Sequence, residues 1–292
     1  MSWLFDASIC LGGAAPETTW TIGPAIVLPL VLVASLYAGG TLRLWQRTRR
    51  ARALRVQQAL LFAAGWLTIA AALVTPLHAL SERLFAAHMI EHELIMAVAA
   101  PLIAASAPGA AMLWSLPRGW RHAVANLLGA GPVVQIWCRI SSPAAATVLH
   151  GLAIWIWHVP GLFEAALERG VLHYAQHASF LGTGLLFWWV LLPRRGAEQG
   201  LGGSVMHLFL TSMHTSVLGV LLLLSPRLWY PANTGLSEQW GLTPLEDQQL
   251  AGLIMWVPAG LVYGLAALLI AGLWIRASGK SNHGTAHALS TP

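Results

Sequence analysis

Long apolar stretches alternate with short polar segments along the chain, and seven of these stretches have a length suited to crossing a bilayer. A spanning helix needs about 20 consecutive, predominantly apolar residues. The seven stretches lie near Pro24–Leu44, Val56–Leu77, Leu84–Ala105, Pro143–Val159, Val171–Leu192, Gly202–Leu224 and Leu250–Ile275. The pattern therefore predicts an all-α, polytopic membrane protein built as a bundle of seven transmembrane helices.

The segments between and beyond these stretches complete the predicted organisation. Gly109–Ile140 is moderately apolar but broken by glycine and proline, and we interpret it as an interfacial loop with one amphipathic helix, a further span being the alternative. Residues 1–23 are predicted to be an extracytoplasmic segment, 24–276 the transmembrane domain, and 277–292 a polar, disordered cytoplasmic tail. Gly260 and Gly264, four residues apart, predict a close helix contact.

Composition supports a membrane environment. Of the residues, 57% are hydrophobic and only 9% are charged, and the mean hydropathy is +0.64. A soluble domain carries about 25% charged residues, so much of this surface must contact lipid. The formal net charge of +5 could indicate nucleic-acid binding. The positions of the basic residues indicate membrane topology instead, and we expect no nucleic-acid partner.

The basic residues are divided unequally between the two sides of the predicted bundle. Thirteen fall in alternate loops and the C-terminal tail, and they are Arg43, Arg47, Arg49, Arg50, Arg52, Arg55, Arg118, Arg121, Arg139, Arg194, Arg195, Arg276 and Lys280. Only Arg83, Arg169 and Arg227 fall on the other side. Because cytoplasmic loops carry the excess of Lys and Arg, the N-terminus is predicted outside and the C-terminus inside. Cys10 and Cys138 then lie on opposite sides and do not pair.

Histidines are the unusual feature of the predicted spans, because ionisable groups are costly in a bilayer and suggest function. His88 and His92 are four residues apart on the third predicted helix, and His173 and His177 are four apart on the fifth. Each pair therefore shares one helix face. The full set of candidate metal ligands is His88, His92, His150, His158, His173, His177 and His214. Candidates for orienting a ligand or admitting the ion are His78, Glu91, Glu93, Met96, Met213 and Asp247.

The predicted topology places most of these groups at a similar depth. The third and fifth helices enter from outside, and the fourth runs outward and ends near His158, so their histidines form one outward-facing polar layer. Imidazole with thioether suits copper, and imidazole with carboxylate suits zinc or iron. One histidine from each of two facing helices would also suit a b-type haem. The remaining alternative is that the histidines only bond backbone carbonyls in proline-broken helices.

Several motifs together resemble one known family. They are HMIEH at His88–His92, HGLAIWIWHVPGLFEAAL from His150, LHYAQHASFL around His173 and His177, MHLFLTSMHTSVLG from Met206, and EDQQLAGLIMWVPAG from Glu246. Over roughly His78 to Ile275 the chain resembles the CtaG-type (caa3 oxidase) cytochrome c oxidase assembly factors, which are seven-helix bacterial membrane proteins.

The resemblance implies a function without catalytic turnover. It implies a protein of the bacterial cytoplasmic (inner) membrane that helps mature haem–copper oxidases by handling copper for the catalytic subunit, its expected partner. A periplasmic copper chaperone is a second candidate partner, and the oligomeric state stays open. Two alternatives from other classes are a membrane electron carrier or oxidoreductase with haem b, and a copper transporter.

Overall fold

The computed structural model describes residues 20–47, 52–193 and 200–288, and this part of the chain is helical and contains no β-strand. The α-helices are α1 (Pro24–Arg47), α2 (Arg52–Val74), α3 (Pro76–Ser81), α4 (Phe85–Glu93), α5 (Ala100–Ser106), α6 (Gly109–Ser115), α7 (Arg118–Leu128), α8 (Gly131–Ile140), α9 (Pro143–Trp157), α10 (Pro160–Glu168), α11 (Gly170–Leu191), α12 (Leu201–Leu224) and α13 (Pro244–Ala288). A π-helical turn, Leu94–Ala99, joins α4 to α5.

Five helices are long and apolar enough to cross a membrane: Pro24–Gln46, Arg52–Val74, Phe85–Ser106, Leu201–Leu224 and Pro244–Ser278. Two further pairs, α7 with α8 and α9 with α10, meet the same criterion jointly but are bent by 66° and 76°. The count is therefore five, or up to seven if each bent pair is one span. The predicted all-α, polytopic membrane fold is confirmed.

The fourth predicted span, Pro143–Val159, matches α9 and ends at a sharp bend into a further helix, α10. Helix α9 has 15 residues and is about 22 Å long, which is less than the thickness of a hydrocarbon core. The chain then turns at His158 and Val159, and Pro160 starts α10. Proline cannot continue a helix but fits the first turn of a new one, which accounts for the break. The corner places His158 at the end of the bundle.

The fifth predicted span is the continuous helix α11, which is 22 residues and about 33 Å long. It is not among the five strongly apolar helices, because His173, Gln176 and His177 lower its hydropathy. These three side chains are buried, and α11 packs against α5 and α9. The polar face of α11 therefore meets protein and not lipid.

The segment Gly109–Ile140 differs from the prediction of a loop with one amphipathic helix. It forms three consecutive helices, α6, α7 and α8, and neither α7 nor α8 contains a buried residue. Pro117 stands at the N-cap of α7 and Pro132 in the first turn of α8. The prolines therefore divide the segment into helices that they help to start, where the sequence interpretation treated them only as breaks.

The ends of two predicted segments also change. Helix α2 ends at Val74, so His78 belongs to the separate short helix α3 and does not end the second span. Helix α13 continues to Ala288 into the predicted disordered tail, since no proline occurs between Pro258 and Pro292 to stop it. The predicted N-terminal segment lies outside the described residues up to residue 19, as do residues 289–292.

The closest approach of α12 and α13 occurs at a glycine pair that the sequence did not single out. A Cβ atom on Gly219 would lie 2.8 Å from the Gly252 carbonyl oxygen, and one on Gly252 would lie 2.5 Å from that of Gly219. In contrast, a Cβ on Gly264 would meet nothing within 4 Å, and one on Gly260 would make only ordinary contacts. The close contact predicted at Gly260 and Gly264 is therefore wrong, because the helices come closest at Gly219 and Gly252 instead.

Candidate functional site

Five histidine rings lie in contact at one end of the bundle. They come from three helices: His78 from α3, His88 and His92 from α4, and His173 and His177 from α11. Ring centroids are 4.2 Å apart for His88 and His92, and 4.5 Å apart for His173 and His177. We call these five residues the histidine cluster.

Contacts between helices close the cluster. The centroid distance from His92 to His177 is 5.3 Å, and that from His88 to His173 is 6.0 Å. His78 lies 5.4 Å from His173 and 6.0 Å from His177. The four-residue spacing on α4 and on α11 puts each pair on one helix face, and the packing of the bundle turns the two faces toward each other.

Aromatic rings seal the cluster from the side of the bundle core. Phe163 of α10 lies 4.8 Å from the ring of His88, and Phe180 of α11 lies 4.7 Å from that of His92. The ring of His158, at the corner between α9 and α10, lies 6.5 Å from that of Phe180. His158 is thus joined to the cluster through Phe180.

Backbone carbonyls orient two of the imidazoles. His88 Nδ1 is 3.2 Å from the Ser81 carbonyl oxygen, and His158 Nδ1 is 2.6 Å from that of Ile154. A carbonyl oxygen can only accept a hydrogen bond, so each Nδ1 carries the proton and donates. The Nε2 atom of a neutral ring in this tautomer keeps a free lone pair, as a metal ligand requires.

Of the buried imidazole nitrogens without a hydrogen-bond partner within the described residues, His214 Nε2 lies apart and six lie in or beside the histidine cluster. These six are Nε2 of His88, His158, His173 and His177, and both ring nitrogens of His92. Each unsatisfied buried polar group costs about 1–3 kcal/mol, and native proteins leave few of them. Such a concentration of free nitrogens at one place is what a site for a cation provides.

The rings do not form a preset coordination sphere. Within residues 20–47, 52–193 and 200–288, no three His, Cys, Asp or Glu side chains are arranged to hold one metal ion. A metal ligand nitrogen stands about 2.0–2.1 Å from its ion, whereas these rings contact one another edge to face. Rings would have to rotate before several nitrogens could reach one ion.

A family comparison bears on this arrangement. The family model described as cytochrome c oxidase caa3 assembly factor (Caa3_CtaG) matches residues 35–277, which include every member of the histidine cluster. The chain belongs to this family. No curated protein and no solved structure matches it. The expected family is confirmed, and with it the general role in the assembly of cytochrome c oxidase.

A carboxylate orients His78, a second ring of the cluster in this assembly factor. His78 Nδ1 lies 2.6 Å from Glu91 Oε1, and both side chains are buried. Burial lowers the pKa of His78, but the hydrogen bond from the imidazole to Glu91 and the negative charge of Glu91 raise it, and the net shift is upward. The second oxygen of Glu91 has no partner among the described residues. Negative charge is therefore available beside the cluster.

Sequence reasoning missed three polar residues around the cluster. The Tyr230 hydroxyl donates to the His158 carbonyl oxygen at 2.7 Å, and burial raises the pKa of Tyr230, so this donor keeps its proton. Asn233 donates to the Ser81 carbonyl oxygen at 3.3 Å. Gln176 is buried beside the α11 histidines, and neither of its amide atoms has a partner in the described part of the chain. Gln176 could have been found from the sequence, because a polar side chain within an apolar helix suggests a functional position.

Two predicted ligands of the assembly factor lie apart from the cluster. His150 pairs through Nδ1 with the Thr183 hydroxyl at 3.1 Å and through Nε2 with the Tyr263 hydroxyl at 3.2 Å. His214 accepts a hydrogen bond from Trp155 Nε1 at 3.3 Å. His150 uses both nitrogens in hydrogen bonds, which leaves it no lone pair for a metal in this arrangement.

Other predicted site residues have different surroundings. Met96 is buried in the core, and its carbonyl oxygen in the π-helical turn accepts from Trp188 Nε1 at 3.0 Å. Glu93 precedes that turn and is partly buried. Met213 is half exposed on α12. Asp247 is fully buried and accepts from the backbone N–H groups of Phe85 and Ala86.

Proposed function

We propose that this assembly factor binds copper as a cargo at the histidine cluster and passes it to the catalytic subunit of a cytochrome c oxidase. The observation that supports the proposal best is that five buried imidazole nitrogens of the cluster, and Nε2 of the neighbouring His158, have no hydrogen-bond partner within the described residues. Imidazole is a common ligand of copper, and the oxidase-assembly family makes a metal needed by the oxidase the most relevant cargo.

Within the described part of the chain, the histidine cluster has no preset coordination geometry, and this suits the transfer of a metal ion. A structural metal site holds its ion with fixed geometry, whereas a delivery site must also release it. In the histidine cluster, neighbouring rings on α4 and α11 lie only 4.2–6.0 Å apart. Copper bound by one pair of nitrogens could therefore exchange to the next by ring rotation, without movement of a helix.

Charge balance involves Glu91. A cation placed among buried neutral rings is costly unless an opposite charge lies close by. Glu91 orients His78, and its buried second oxygen has no hydrogen-bond partner among the described residues, so it would offset the charge of the ion. Outer groups that orient ligands change metal affinity about 10–100-fold when they are lost.

The proposal includes a place and partners. The protein would lie in the bacterial cytoplasmic membrane with its N-terminus outside, as the distribution of basic residues predicts. The histidine cluster would then face the outer side, where a periplasmic copper chaperone could supply the ion. The oxidase subunit would dock alongside within the bilayer, and no catalytic turnover would be required.

The test is a count of bound copper. The full-length protein, purified in detergent and loaded with Cu(I), is compared with the double variant His88→Ala, His177→Ala. We expect copper to bind the wild type and to be lost from the double variant. His122→Ala is the matched control, because His122 is an exposed histidine of α7 outside the cluster, and it should retain the wild-type count.

Two results would contradict the proposal. One is an unchanged copper count in the double variant, with a melting temperature that shows it to be folded. The other is a Soret band in the visible spectrum of the protein as isolated, shifting on reduction, which would indicate a b-type haem in place of copper.

A further inference from the structure

A basic cleft lies at the end of the bundle opposite the histidine cluster. The continuous helix Phe85–Ser106 begins at the cluster and, about 33 Å further on, leads into α6. The cleft has a volume of about 330 Å³ and lies between the end of α1 and the junction of α6 with α7. Its lining includes Arg43, Arg118 and Arg121, together with Trp114 and Gln46.

Two of the arginines are held in place by neighbouring groups. Arg43 donates to the carbonyl oxygens of Trp114 and Ser115 at the end of α6. The guanidinium carbon of Arg121 lies 4.3 Å from the centre of the Trp114 ring, a cation–π contact. The cleft is therefore built by packed side chains, and its positive charge has a fixed position.

Negative protein groups do not neutralise the cleft. In the described ranges, no carboxylate lies within ion-pair distance of Arg43, Arg118 or Arg121. Of the 11 acidic residues in the whole sequence, only Glu198 falls on the side predicted to be cytoplasmic. The three guanidinium groups thus lack an anionic partner from the part of the chain that the structure describes.

The start of α7 adds a second feature that attracts anions. Pro117 occupies the N-cap and provides no side-chain hydrogen bond, so N–H groups of the first turn are left to other acceptors. Helix N-termini bind phosphate through such N–H groups and the positive end of the helix dipole. Arg118, the first residue of α7, lines the cleft. The uncapped turn and the arginines therefore favour the same ligand chemistry.

The position of the cleft indicates the source of the anion. Helix α7 exposes Trp120, Leu127 and Leu128 and buries none of its residues, as expected of an amphipathic helix in the membrane interface. Tryptophan also concentrates at the level of lipid headgroups. In the membrane interface, the phosphate groups that surround a helix are those of phospholipid headgroups. We infer that the cleft of Arg43, Arg118 and Arg121 binds the phosphate of an anionic phospholipid headgroup.

Lipid-dependent thermal stability tests this inference on the full-length protein in detergent. Phosphatidylglycerol, added in increasing amounts, should raise the melting temperature more than phosphatidylcholine does. The double variant Arg118→Gln, Arg121→Gln should weaken the apparent affinity for phosphatidylglycerol about tenfold or more. The matched control Arg169→Gln, Arg227→Gln removes two arginines from the opposite end and should respond like the wild type.

Further measurements in the same experiment distinguish a lipid phosphate from free phosphate and control for misfolding of the variants. Inorganic phosphate alone should give no shift, and a shift equal to that of phosphatidylglycerol would overturn the lipid assignment. Equal effects of the two lipids, or equal losses in the two double variants, would overturn the site. If the double variant is unstable without lipid, the single variant Arg118→Glu replaces it, because Arg118 is an exposed residue of the cleft lining. An unchanged response of Arg118→Glu to phosphatidylglycerol would then overturn the site.

Discussion

His92 shows most directly, at the scale of a single residue, that the histidine cluster is not optimised for stability. Its side chain is almost completely buried, and neither ring nitrogen has a partner among the described residues. His150 is equally buried but forms two hydrogen bonds, to Thr183 and Tyr263. A sequence search for intramembrane histidines treats the two residues alike. Only their surroundings separate a histidine suited to packing from one that keeps free lone pairs.

This difference predicts opposite effects of one substitution. His92→Leu removes two unsatisfied polar atoms at similar side-chain size, so we expect the metal-free protein to keep or gain stability, by about 1 kcal/mol. His150→Leu leaves two hydroxyls without a partner and should lose about 1–3 kcal/mol. Thermal unfolding in metal-free detergent solution measures both changes. A lower melting temperature for His92→Leu than for His150→Leu would show that His92 is a packing residue.

Asp247 illustrates the scale of the element, because it connects two helices that are distant in sequence. It opens α13, yet its carboxylate accepts from the backbone N–H groups of Phe85 and Ala86 at 2.9 Å each and from the Ser237 hydroxyl at 3.0 Å. It therefore caps the first turn of α4, the helix that carries two members of the histidine cluster. The sequence analysis proposed that Asp247 orients a ligand or admits the ion, and the structure gives it this capping contact.

Loss of the Asp247 carboxylate should affect both folding and the cluster. Asp247→Ala leaves three buried donors without an acceptor, and we expect a loss of about 2 kcal/mol or more in unfolding free energy. Copper affinity should also fall, since α4 is no longer fixed at its start. The neighbouring Glu246→Ala is the control, because Glu246 is outside the buried network and its side chain accepts, among the described residues, from Thr243. Equal melting temperatures of the two variants would contradict the capping role.

The glycine contact between α12 and α13 gives a second prediction for elements. Gly252→Val places side-chain atoms where the Gly219 carbonyl oxygen lies, so the helices must separate, at a cost of about 1–3 kcal/mol. Gly264→Val, on the same helix with open space around it, should change stability by less than about 0.5 kcal/mol. Thermal unfolding of the two variants compares them directly. A larger loss at Gly264 would place the close contact elsewhere.

At the scale of the whole molecule, two chemically different ends define the bundle. The histidine cluster with its carboxylates occupies one end, and the basic cleft occupies the other. The sequence alone predicts which end faces the cytoplasm, through its 13 basic residues on one side and 3 on the other. This orientation is a prediction from the positions of the basic residues.

Labelling in intact cells tests the orientation with the protein's own cysteines. Cys10 is predicted outside and Cys138 at the cytoplasmic side, and Cys138 is exposed on α8. The variant Cys138→Ser should react with a membrane-impermeant maleimide in cells whose inner membrane is intact. The variant Cys10→Ser should react only after that membrane is opened. The reverse pattern would place the histidine cluster at the cytoplasmic end.

Much of the fold could be predicted from the sequence because a bilayer imposes a simple length rule. Apolar stretches of spanning length marked α1, α2, the helix Phe85–Ser106, α12 and α13, and low charge density required lipid around them. The end of α9 near His158 was predicted, but the helix α10 that follows it and the division of Gly109–Ile140 into three helices were not. Proline signals a break but does not state whether a loop or a new helix follows, since packing decides that.

The sequence by itself determined the class of this protein, its family and the spacing that places His88 with His92 and His173 with His177 on single helix faces. Those properties depend on local periodicity and on the cost of moving polar groups into lipid. The tertiary structure alone decided that these two faces meet, that His78 completes the cluster, and that His150 and His214 stay outside it. Such contacts depend on helix rotation and crossing, which packing across the bundle fixes and which no single segment encodes.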